Sequence, residues 1–478
     1  MTEEQLNAET ALRYNDEKSK QLATRPVSKL LWQFATPSII GMAASSIYNI
    51  CDSIFIGRGV DPMAIAGLAI TFPLMNISAA FGAMVGVGGG AQVSVAMGEG
   101  NQHKAIMIFG NVMRLDVTIG LLLTFFGLIF LDPILRLFGA SDVTLPYARD
   151  YMQIILAGNV ITHTFLGMND QLRSTGNPKR AMQGQLIAVV ANIVLDALFI
   201  FGFGWGMRGA ALATILGQCC AWVHNARFFM DKKNYVHFSR SALILRMDII
   251  KEILSIGLSP FFFQTCSCIV VILINRGLME QGGAEGDSYV GVYGIVNRMA
   301  MLSVMLVMGF SQGMQPIVGF NMGARLFHRV TGVLKYAYAC ATAVMTFFFI
   351  IVMLFPAQLA ACFTNDPHMM ELCVPALRIV MCVFPFVGGQ MITNSFFQSI
   401  RKAKKSIFLS TTRQMLFLVP LLVFLPKVFV ANGENGVYGI WWSFAISDAL
   451  STILAVSLLI YQVRKLNRMS ALTLAQAR

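Results

Sequence analysis

Two aspartates lie deep within long apolar stretches of the sequence. Asp52 occurs in SSIYNICDSIFIGR, and Asp196 occurs in VANIVLDALFI. An ionisable side chain at the centre of a bilayer costs about 2.5–3.5 kcal/mol on insertion scales, so such residues usually have a function. The sequence places no Lys or Arg at a similar depth nearby to neutralise these two carboxylates.

The polar residues near these aspartates fit a cation site. Tyr48 precedes Asp52 by four residues, and Asn192 precedes Asp196 by four, so each pair shares a helix face. Thr214, in GMRGAALAT, would face the same site if that glycine-containing run packs tightly. Carboxylate, amide and hydroxyl oxygens together suit a hard cation such as Na⁺. The same carboxylates could instead bind a proton, or the residues could form a polar network that only fixes helix packing.

The elements that would position these residues are membrane-spanning helices. The 478-residue chain is 56% hydrophobic and only 13% charged, about half the charged fraction of an ordinary soluble protein. Its apolar runs are about 20 residues or longer, which is enough to cross a bilayer as helices. We predict an all-α membrane protein with twelve transmembrane helices, near residues 30–56, 62–90, 106–131, 146–169, 181–203, 208–230, 250–275, 288–315, 333–356, 371–399, 406–428 and 437–462.

The sequence also repeats itself at an offset of about 225 residues. The matched positions are Asn169 with Asn394, Ser174 with Ser399, Met97-Gly98 with Met322-Gly323, Pro37 with Pro260, and Asp52 with Asn275. We therefore predict two pseudo-symmetric six-helix bundles that rock against each other around a shared midplane site, as in many transporters. The predicted organisation is a cytosolic tail over 1–28, an N-lobe over 29–240, a C-lobe over 241–463 and a cytosolic tail over 464–478.

The net charge of +12 comes from basic connections between the spans. Basic residues concentrate in the even-numbered connections and include Arg173, Lys179, Arg240, Arg325 and Arg401. The positive-inside rule then puts both termini in the cytoplasm, and we expect a multi-pass protein of the bacterial cytoplasmic (inner) membrane. Because the basic residues are scattered over several loops, they disfavour a nucleic-acid partner. We expect the protein to be surrounded by the lipid bilayer.

The second half of the sequence has a different set of ionisable residues. Asn275 stands at the position equivalent to Asp52, and Arg298, Arg378 and Asp448 occur within predicted spans. One interpretation is an internal ion-pair network in which Asp448 pairs with Arg298. The other is a role for these three residues in handling substrate or protons.

The sequence resembles the multidrug and toxic compound extrusion (MATE) family from about Leu30 to Tyr461. The matching motifs are IYNICDSIFIGR, AGLAITFP, RSTGNPKRA, NIVLDALFI with GMRGAALAT, and VYGIVNRM with QPIVGFNMGA. The pattern is most similar to the DinF-like and MepA-like prokaryotic branch. The NorM-like branch instead relies on acidic residues in spans seven and ten. Here span seven offers Gln264 and Asn275, and span ten has only Glu371 at its outer edge, which disfavours a cation site of that type in the C-lobe.

This resemblance implies roles for specific residues. In the DinF-like and MepA-like branch, aspartates of the N-lobe are proposed to bind Na⁺ or H⁺. The residues that would form this site are Asp52, Asn192, Asp196 and Thr214, with Tyr48 in the same network. The residues that would border the drug cavity are Met42, Tyr48 and Asn169. Pro37 would bend the first span during transport, because a proline removes a helix hydrogen bond.

We therefore predict a secondary antiporter that exports amphipathic, often cationic small molecules in exchange for Na⁺ or H⁺, without a cofactor and as a monomer. The sequence has no ATP-binding motif, so the ion gradient would supply the energy. One alternative from the same superfamily is a flippase for a lipid-linked saccharide, which would need a strongly cationic cavity. Another is a membrane-embedded enzyme, but His163 stands alone in the fourth predicted span without a nucleophile or metal cluster.

Overall fold

The computed structural model describes residues 16–239 and 244–476, and within these ranges it contains helices and no β-strand. The helices are α1 (Glu17–Thr24), α2 (Val27–Gly59), α3 (Pro62–Gly98), α4 (Gln102–Ile129), α5 (Leu131–Leu137), α6 (Leu145–Ala157), α7 (Asn159–Ser174), α8 (Pro178–Asp196), α9 (Gly206–Met230), α10 (Met247–Gly282), α11 (Gly286–Gly323), α12 (Phe327–Leu354), α13 (Pro356–Ala361), α14 (Pro367–Met381), α15 (Phe384–Ser399), α16 (Ala403–Thr411), α17 (Val419–Ala431) and α18 (Gly436–Gln476). Helices α2–α9 form the first half of the molecule, and α10–α18 form the second half.

A short π-helical segment occurs in the same span of each half, although about ten residues apart in the repeat. Ala197–Gly202 continues α8, and Thr412–Leu418 joins α16 to α17. Both segments belong to the fifth span of their half. Because π-helical turns are rare and often mark functional sites, their recurrence directs attention to the ionisable residues beside them.

The described part of the chain forms twelve membrane-spanning segments, so the predicted all-α, twelve-span fold is confirmed. Eight continuous helical stretches in this part are long and apolar enough to cross a membrane, and α14 with α15 forms a ninth, bent by 49°. One of the eight, Met247–Gly323, contains two spans, α10 and α11. The remaining two spans carry more polar side chains. One consists of α6 together with α7, and the other is α9. Several helices extend past the predicted ends, such as α3, which continues to Gly98.

The sequence repeat is visible in the backbone as well. Gly100 and Gly176 follow α3 and α7 with φ of 72° and 81°, and Arg325 and Arg401 hold the equivalent positions with φ of 61° and 59°. At each position the next residue donates its backbone N–H to the carbonyl five residues earlier, as in a Schellman cap. The two halves therefore end equivalent helices in the same left-handed conformation, although only the first half uses glycine there.

The two halves meet closely at one end of the molecule. Gly98 of α3 lies against the carbonyl of Phe320, and Gly323 of α11 lies against the carbonyl of Val95. A Cβ atom on either glycine would overlap the facing backbone, so both positions need glycine. These two glycines form one of the repeated pairs, and the contact is therefore reciprocal. We call this region the closed end.

The chain segment before the first span is partly folded. Helix α1 buries Leu22, and the guanidinium of Arg329 donates to the carbonyls of Leu22 (3.1 Å) and Arg25 (2.6 Å). These bonds attach α1 to the closed-end side of α12. The earlier part of the predicted N-terminal tail, residues 1–15, lies outside the described residues.

Two further predicted boundaries are the division between the lobes and the start of the C-terminal tail. The predicted division between lobes at 240 and 241, with Arg240, lies outside the described residues. Helix α18 continues to Gln476, so most of the predicted C-terminal tail from 464 is helical.

Candidate functional site

The predicted cation-site residues of the first half come together between α2, α8 and α9. Asp52 is 4% exposed and Asp196 is 0% exposed. Asn192 Nδ2 donates to Thr214 Oγ1 (3.3 Å), which joins α8 to α9. A Cβ atom at Gly217 would lie 2.7 Å from the carbonyl oxygen of Ala188, so the close approach of α8 and α9 that makes this bond possible depends on glycine.

Thr214 is the centre of the hydrogen bonding in this site. Its Oγ1 donates to the carbonyl of Ala210 (3.1 Å), accepts from Asn192, and is 3.5 Å from the hydroxyl of Tyr48. The Thr214 hydroxyl therefore holds Asn192 and Tyr48 in place, and its own bonding capacity is largely used.

The carboxylates remain unsatisfied. Within residues 16–239 and 244–476, Asp52 Oδ1, both carboxylate oxygens of Asp196 and Asn192 Oδ1 are buried without a hydrogen-bond donor. No ion pair in these ranges involves Asp52 or Asp196. An unpaired buried charge is costly, so this group of oxygens fits a proton or a small cation.

Sequence reasoning missed Tyr151 of α6 as a member of this site. Tyr151 is 1% exposed and interacts electrostatically with Tyr48, Asp52 and Asp196. Its hydroxyl also faces Thr214. It lies well away from the two aspartates in sequence, and a tyrosine in a span is common, so no local pattern identified it.

The predicted cavity residues are divided between two places. Pro37, Met42 and Asn169 line one cavity of about 220 Å³, together with Gln185. Asn169 Nδ2 donates to Gln185 Oε1 (3.4 Å), and Gln185 Nε2 donates to Ser45 Oγ (2.9 Å). Tyr48, which was predicted for both sites, bonds to the cation-site residue Thr214 instead. Helix α2 is continuous through Pro37, and its bending remains a prediction.

The predicted pairing of Asp448 with Arg298 is wrong. Asp448 is 4% exposed and accepts from Nε of Arg413 at 2.7 Å. Arg413 lies in the π-helical segment that packs beside α18, and Ser447 donates to its carbonyl (2.9 Å). Arg298 lies on an exposed face of α11, so it is turned away from Asp448.

Arg298 and Arg378 are both exposed, although each lies well inside a span. They are about 12 and 11 residues from the start of α11 and α14, which is roughly 17 Å along a helix. A guanidinium facing lipid at that depth would be costly, so these side chains need a polar or aqueous environment.

One buried acid was missed in the sequence, and the prediction for His163 needs a correction. Asp116 is 0% exposed in the middle of α4, and its mid-span position was a signal that could have identified it. His163 does not stand alone, because its Nε2 is 3.2 Å from Ser78 Oγ.

Two pseudo-symmetric six-helix bundles around interior polar sites define a membrane transporter. The model of the MatE family matches residues 37–198 and 257–424, which together make up more than half of the chain. The chain therefore belongs to the MatE family, and the resemblance noted from its motifs is confirmed.

Individual relatives agree with this assignment. The chain is 24% identical over 449 residues to the multidrug export protein MepA of Staphylococcus saprophyticus, which covers 94% of this chain and 97% of that protein. It is similar to a crystal structure of MATE in the bent conformation, with a TM-score of 0.88 and 25% identity over 96% of this chain and all (100%) of that one. It is also 36% identical to the MATE multidrug transporter DinF-BH solved in complex with a drug, with a TM-score of 0.83 over 92% of this chain and 96% of that chain.

Proposed function

We propose that this protein is a secondary antiporter that exports amphipathic, often cationic compounds across a bacterial cytoplasmic membrane in exchange for Na⁺ or H⁺. The observation that carries the proposal is the set of buried acceptor oxygens of Asp52, Asp196 and Asn192 that lack a donor among the described residues. Such a set binds a cation in one conformation and releases it in another, which is what coupling requires.

The expected substrate class rests on the cavity and on the relatives. The cavity beside Pro37, Met42 and Asn169 combines an adaptable methionine with amide groups that can hydrogen-bond to a ligand. The relatives named above include a multidrug export protein and a multidrug transporter with a bound drug. We extend that substrate class to this chain, with Asn169 and Met42 as contacts.

The orientation follows from charge. Arg173, Lys179, Arg325 and Arg401 lie at the closed-end side, in connections that the positive-inside rule assigns to the cytoplasm. On this assignment the described conformation is closed to the cytoplasm. A reporter fused after Arg401 should then give a cytoplasmic signal, and one near Asp366 an external signal.

The test of the proposed function is uptake of ethidium, a fluorescent amphipathic cation, into everted membrane vesicles, with Na⁺ and pH gradients imposed separately. Uptake should depend on a gradient of one ion directed out of the vesicle lumen, and it should stop when that gradient is collapsed. Uptake that is indifferent to both gradients would contradict the antiporter proposal.

Competition between drug and ion should accompany this coupling. An antiporter must avoid leaking its gradient, so a bound ion should weaken drug binding by about 1–3 kcal/mol, which is roughly 5- to 150-fold. Drug affinity measured across Na⁺ concentration and pH in nanodiscs checks this. The effect should disappear in Asp196→Asn.

A lipid-linked saccharide flippase is the second candidate, and the exposure of Arg298 and Arg378 within their spans favours it. Guanidinium groups are well suited to bind the phosphates of such a lipid. If the wild type does not export cationic drugs but binds a polyprenyl pyrophosphate, and this binding is lost in Arg298→Gln and Arg378→Gln, the flippase becomes the better assignment.

A further inference from the structure

A line of small and polar residues runs between α3 and α7 in the first half. On α7, Asn159, His163, Gly167 and Asp170 recur every three or four residues and so share one face. From α3, Ser78 Oγ donates to Asn159 Oδ1 (3.4 Å) and lies 3.2 Å from His163 Nε2. We call Ser78, Asn159, His163 and Asp170 the polar seam.

Asp116 of α4 projects into this seam. Its Oδ2 occupies the space beside Gly167 of α7, so a side chain at position 167 would collide with it. Asp116 is 0% exposed, and in the part of the chain that the structure describes neither of its carboxylate oxygens has a hydrogen-bond partner. Gln171, one residue beyond Asp170 on α7, is also 0% exposed, and within the same part of the chain both of its amide atoms lack a partner.

An ionised carboxylate in this position would lack any compensation for its lost hydration. Asp116 must therefore hold either a proton or a cation. A metal ion needs several oxygen ligands, and the surroundings of Asp116 offer few. A proton needs only one oxygen, so it is the ligand that fits.

The charged groups around Asp116 come almost entirely from α7. Asp170 interacts with Asp116 electrostatically, and Arg173 forms an ion pair with Asp170. His163 lies one turn from Gly167 on the same face. Helix α3 contains no ionisable residue. Helix α6 contributes Tyr151 on the cation-site side, and its other ionisable residues, Tyr147, Arg149 and Asp150, lie in its first two turns.

The remaining contacts of α4 bring no other charge near its midpoint. Helix α10 also touches α4. At the closed end, α10 carries its charges in its first two turns, at Asp248, Lys251 and Glu252. Arg114 is on α4 itself, two residues before Asp116.

Asp170 connects this buried carboxyl to the space between the two halves. Asp170 and Arg173 line a cavity of about 160 Å³, and Asn394 and Gln398 of the second half line its other side. Arg173 also lines the cavity that contains Asn169. A proton on Asp170 would therefore change the charge that both cavities present to a ligand.

We propose that Asp116 is a second proton-binding site of this transporter and that it exchanges its proton with the cavity between the halves through Asp170. In this step the Asp116 carboxyl gives its proton through an intervening water molecule to the Asp170 carboxylate, which leaves Asp116 ionised and Asp170 neutral. Asp170 then releases Arg173 from the ion pair and passes the proton to water in the cavity. The proposal rests on the antiporter function and adds a proton site distinct from Asp52 and Asp196.

The experiment is infrared difference spectroscopy of the purified protein in nanodiscs as the pH is raised. Wild type should show carbonyl bands of protonated carboxylic acids, and one band should be absent in Asp116→Asn. The matched control is Asp132→Asn, an acid near the protein surface that pairs with Arg149, and it should leave that band unchanged. In Asp170→Asn the Asp116 band should remain, but its hydrogen–deuterium exchange should slow at least about 100-fold, the lower end of what a positioned proton-transfer group contributes.

Two results would overturn the proposal. If no band is lost in Asp116→Asn in a folded protein, Asp116 does not carry a proton. If the band is present but exchanges at the same rate in Asp170→Asn, then Asp116 is a neutral structural acid without a path to the cavity.

This measurement does not depend on transport. If ethidium uptake follows an ion gradient and the Asp116 band is absent, the inference fails while the proposed function stands. If the Asp116 band titrates as expected but uptake ignores both gradients, the proposed function fails and the proton site remains.

Discussion

In the first half, Asp52 and Asp196 are buried without a cationic partner among the described residues, whereas in the second half Asp448 is buried against Arg413. Both arrangements lie next to the π-helical segment of the fifth span of their half. The spans and the left-handed helix ends are repeated between the halves, whereas the charge balance is not. A carboxylate without a partner can exchange a cation, and a carboxylate with an arginine is already neutralised.

The two halves also differ in how their repeated asparagines are bonded. Asn169 donates to Gln185, and its own Oδ1 has no partner in the described ranges. Its counterpart Asn394 accepts from Ser406 (2.8 Å) and Ser259 (3.4 Å). The second-half amide is thus tied to its neighbours, whereas the first-half amide keeps an open acceptor that faces a cavity. We therefore expect ion and ligand binding to be concentrated in the first half.

The largest expected effect comes from removing a first-half carboxylate. Asp196→Asn, or Asp52→Asn, should reduce ion-coupled efflux to the level of cells without the protein, because the amide cannot bind and release a proton or hold Na⁺ as tightly. Expression and thermal stability should stay close to wild type, since no ion pair is broken. Resistance assays with immunoblots measure both, with Asp132→Asn as the control. Full resistance in either variant would remove the functional contrast between the halves.

The same change in the second half should act on stability. Asp448→Asn leaves the Arg413 guanidinium without its partner, and breaking a buried pair costs about 3–5 kcal/mol. Because the Arg413 side chain is 25% exposed, we expect the lower end, about 3 kcal/mol. Thermal unfolding in detergent measures the loss, and Asp448→Leu combined with Arg413→Met should recover most of it. A stable Asp448→Asn variant that loses coupling would instead give both halves an ion role.

Substitution of either glycine in the closed-end contact should weaken that contact to the same extent. Gly98→Val and Gly323→Val each place a side chain against the facing backbone, and such overpacking costs about 1–3 kcal/mol, or a roughly 5- to 150-fold shift away from the closed conformation. Spectroscopic distances between labels on α3 and α11 report that shift. Gly294→Val is the control, because a Cβ atom there meets no neighbour within 4 Å. Unequal effects of the two glycines would show that the closed end is not functionally symmetric.

A smaller effect is expected at the hydrogen-bonding centre of the cation site. Thr214→Val keeps the shape of the side chain but removes the bonds to Asn192 and Tyr48, which should weaken ion affinity by about 1 kcal/mol, or roughly fivefold. Thr393→Val in the second half removes one bond within its own helix and should leave ion affinity unchanged. Ion titrations of the two variants make the comparison, and equal losses would indicate a general packing effect.

The smallest effect concerns the left-handed positions. Arg325→Gly should stabilise the protein by about 0.5 kcal/mol, because relief of roughly 1–2 kcal/mol of backbone strain is partly offset by the greater entropy of glycine in the unfolded chain. The reverse change, Gly100→Arg, should destabilise by a similar amount. Thermal unfolding of both variants checks the sign. If both changes are destabilising, side-chain contacts rather than backbone strain decide these positions.

The fold and most members of the cation site were accessible from the sequence. The spacing of Tyr48 from Asp52 and of Asn192 from Asp196 predicted which residues share a helix face. Thr214 was expected to join them if its glycine-containing run packs tightly, and it lies within hydrogen-bonding distance of Asn192 and Tyr48. Tyr151 was not accessible, because nothing local to α6 distinguishes it from other tyrosines. Asp116 was accessible from its depth in a span but was not recognised.

The sequence by itself determined the spans, the repeat and the positions of the ionisable residues within the membrane, because hydropathy and periodicity are properties of local sequence. Only the tertiary structure decided what each buried charge contacts. Asp448 lies against Arg413 rather than Arg298, and Asp116 lies beside Gly167, where it interacts electrostatically with Asp170 and has no ion-pair partner among the described residues. These contacts depend on the rotation of each helix about its axis and on which helices are neighbours, and both are set by packing between segments far apart in the chain.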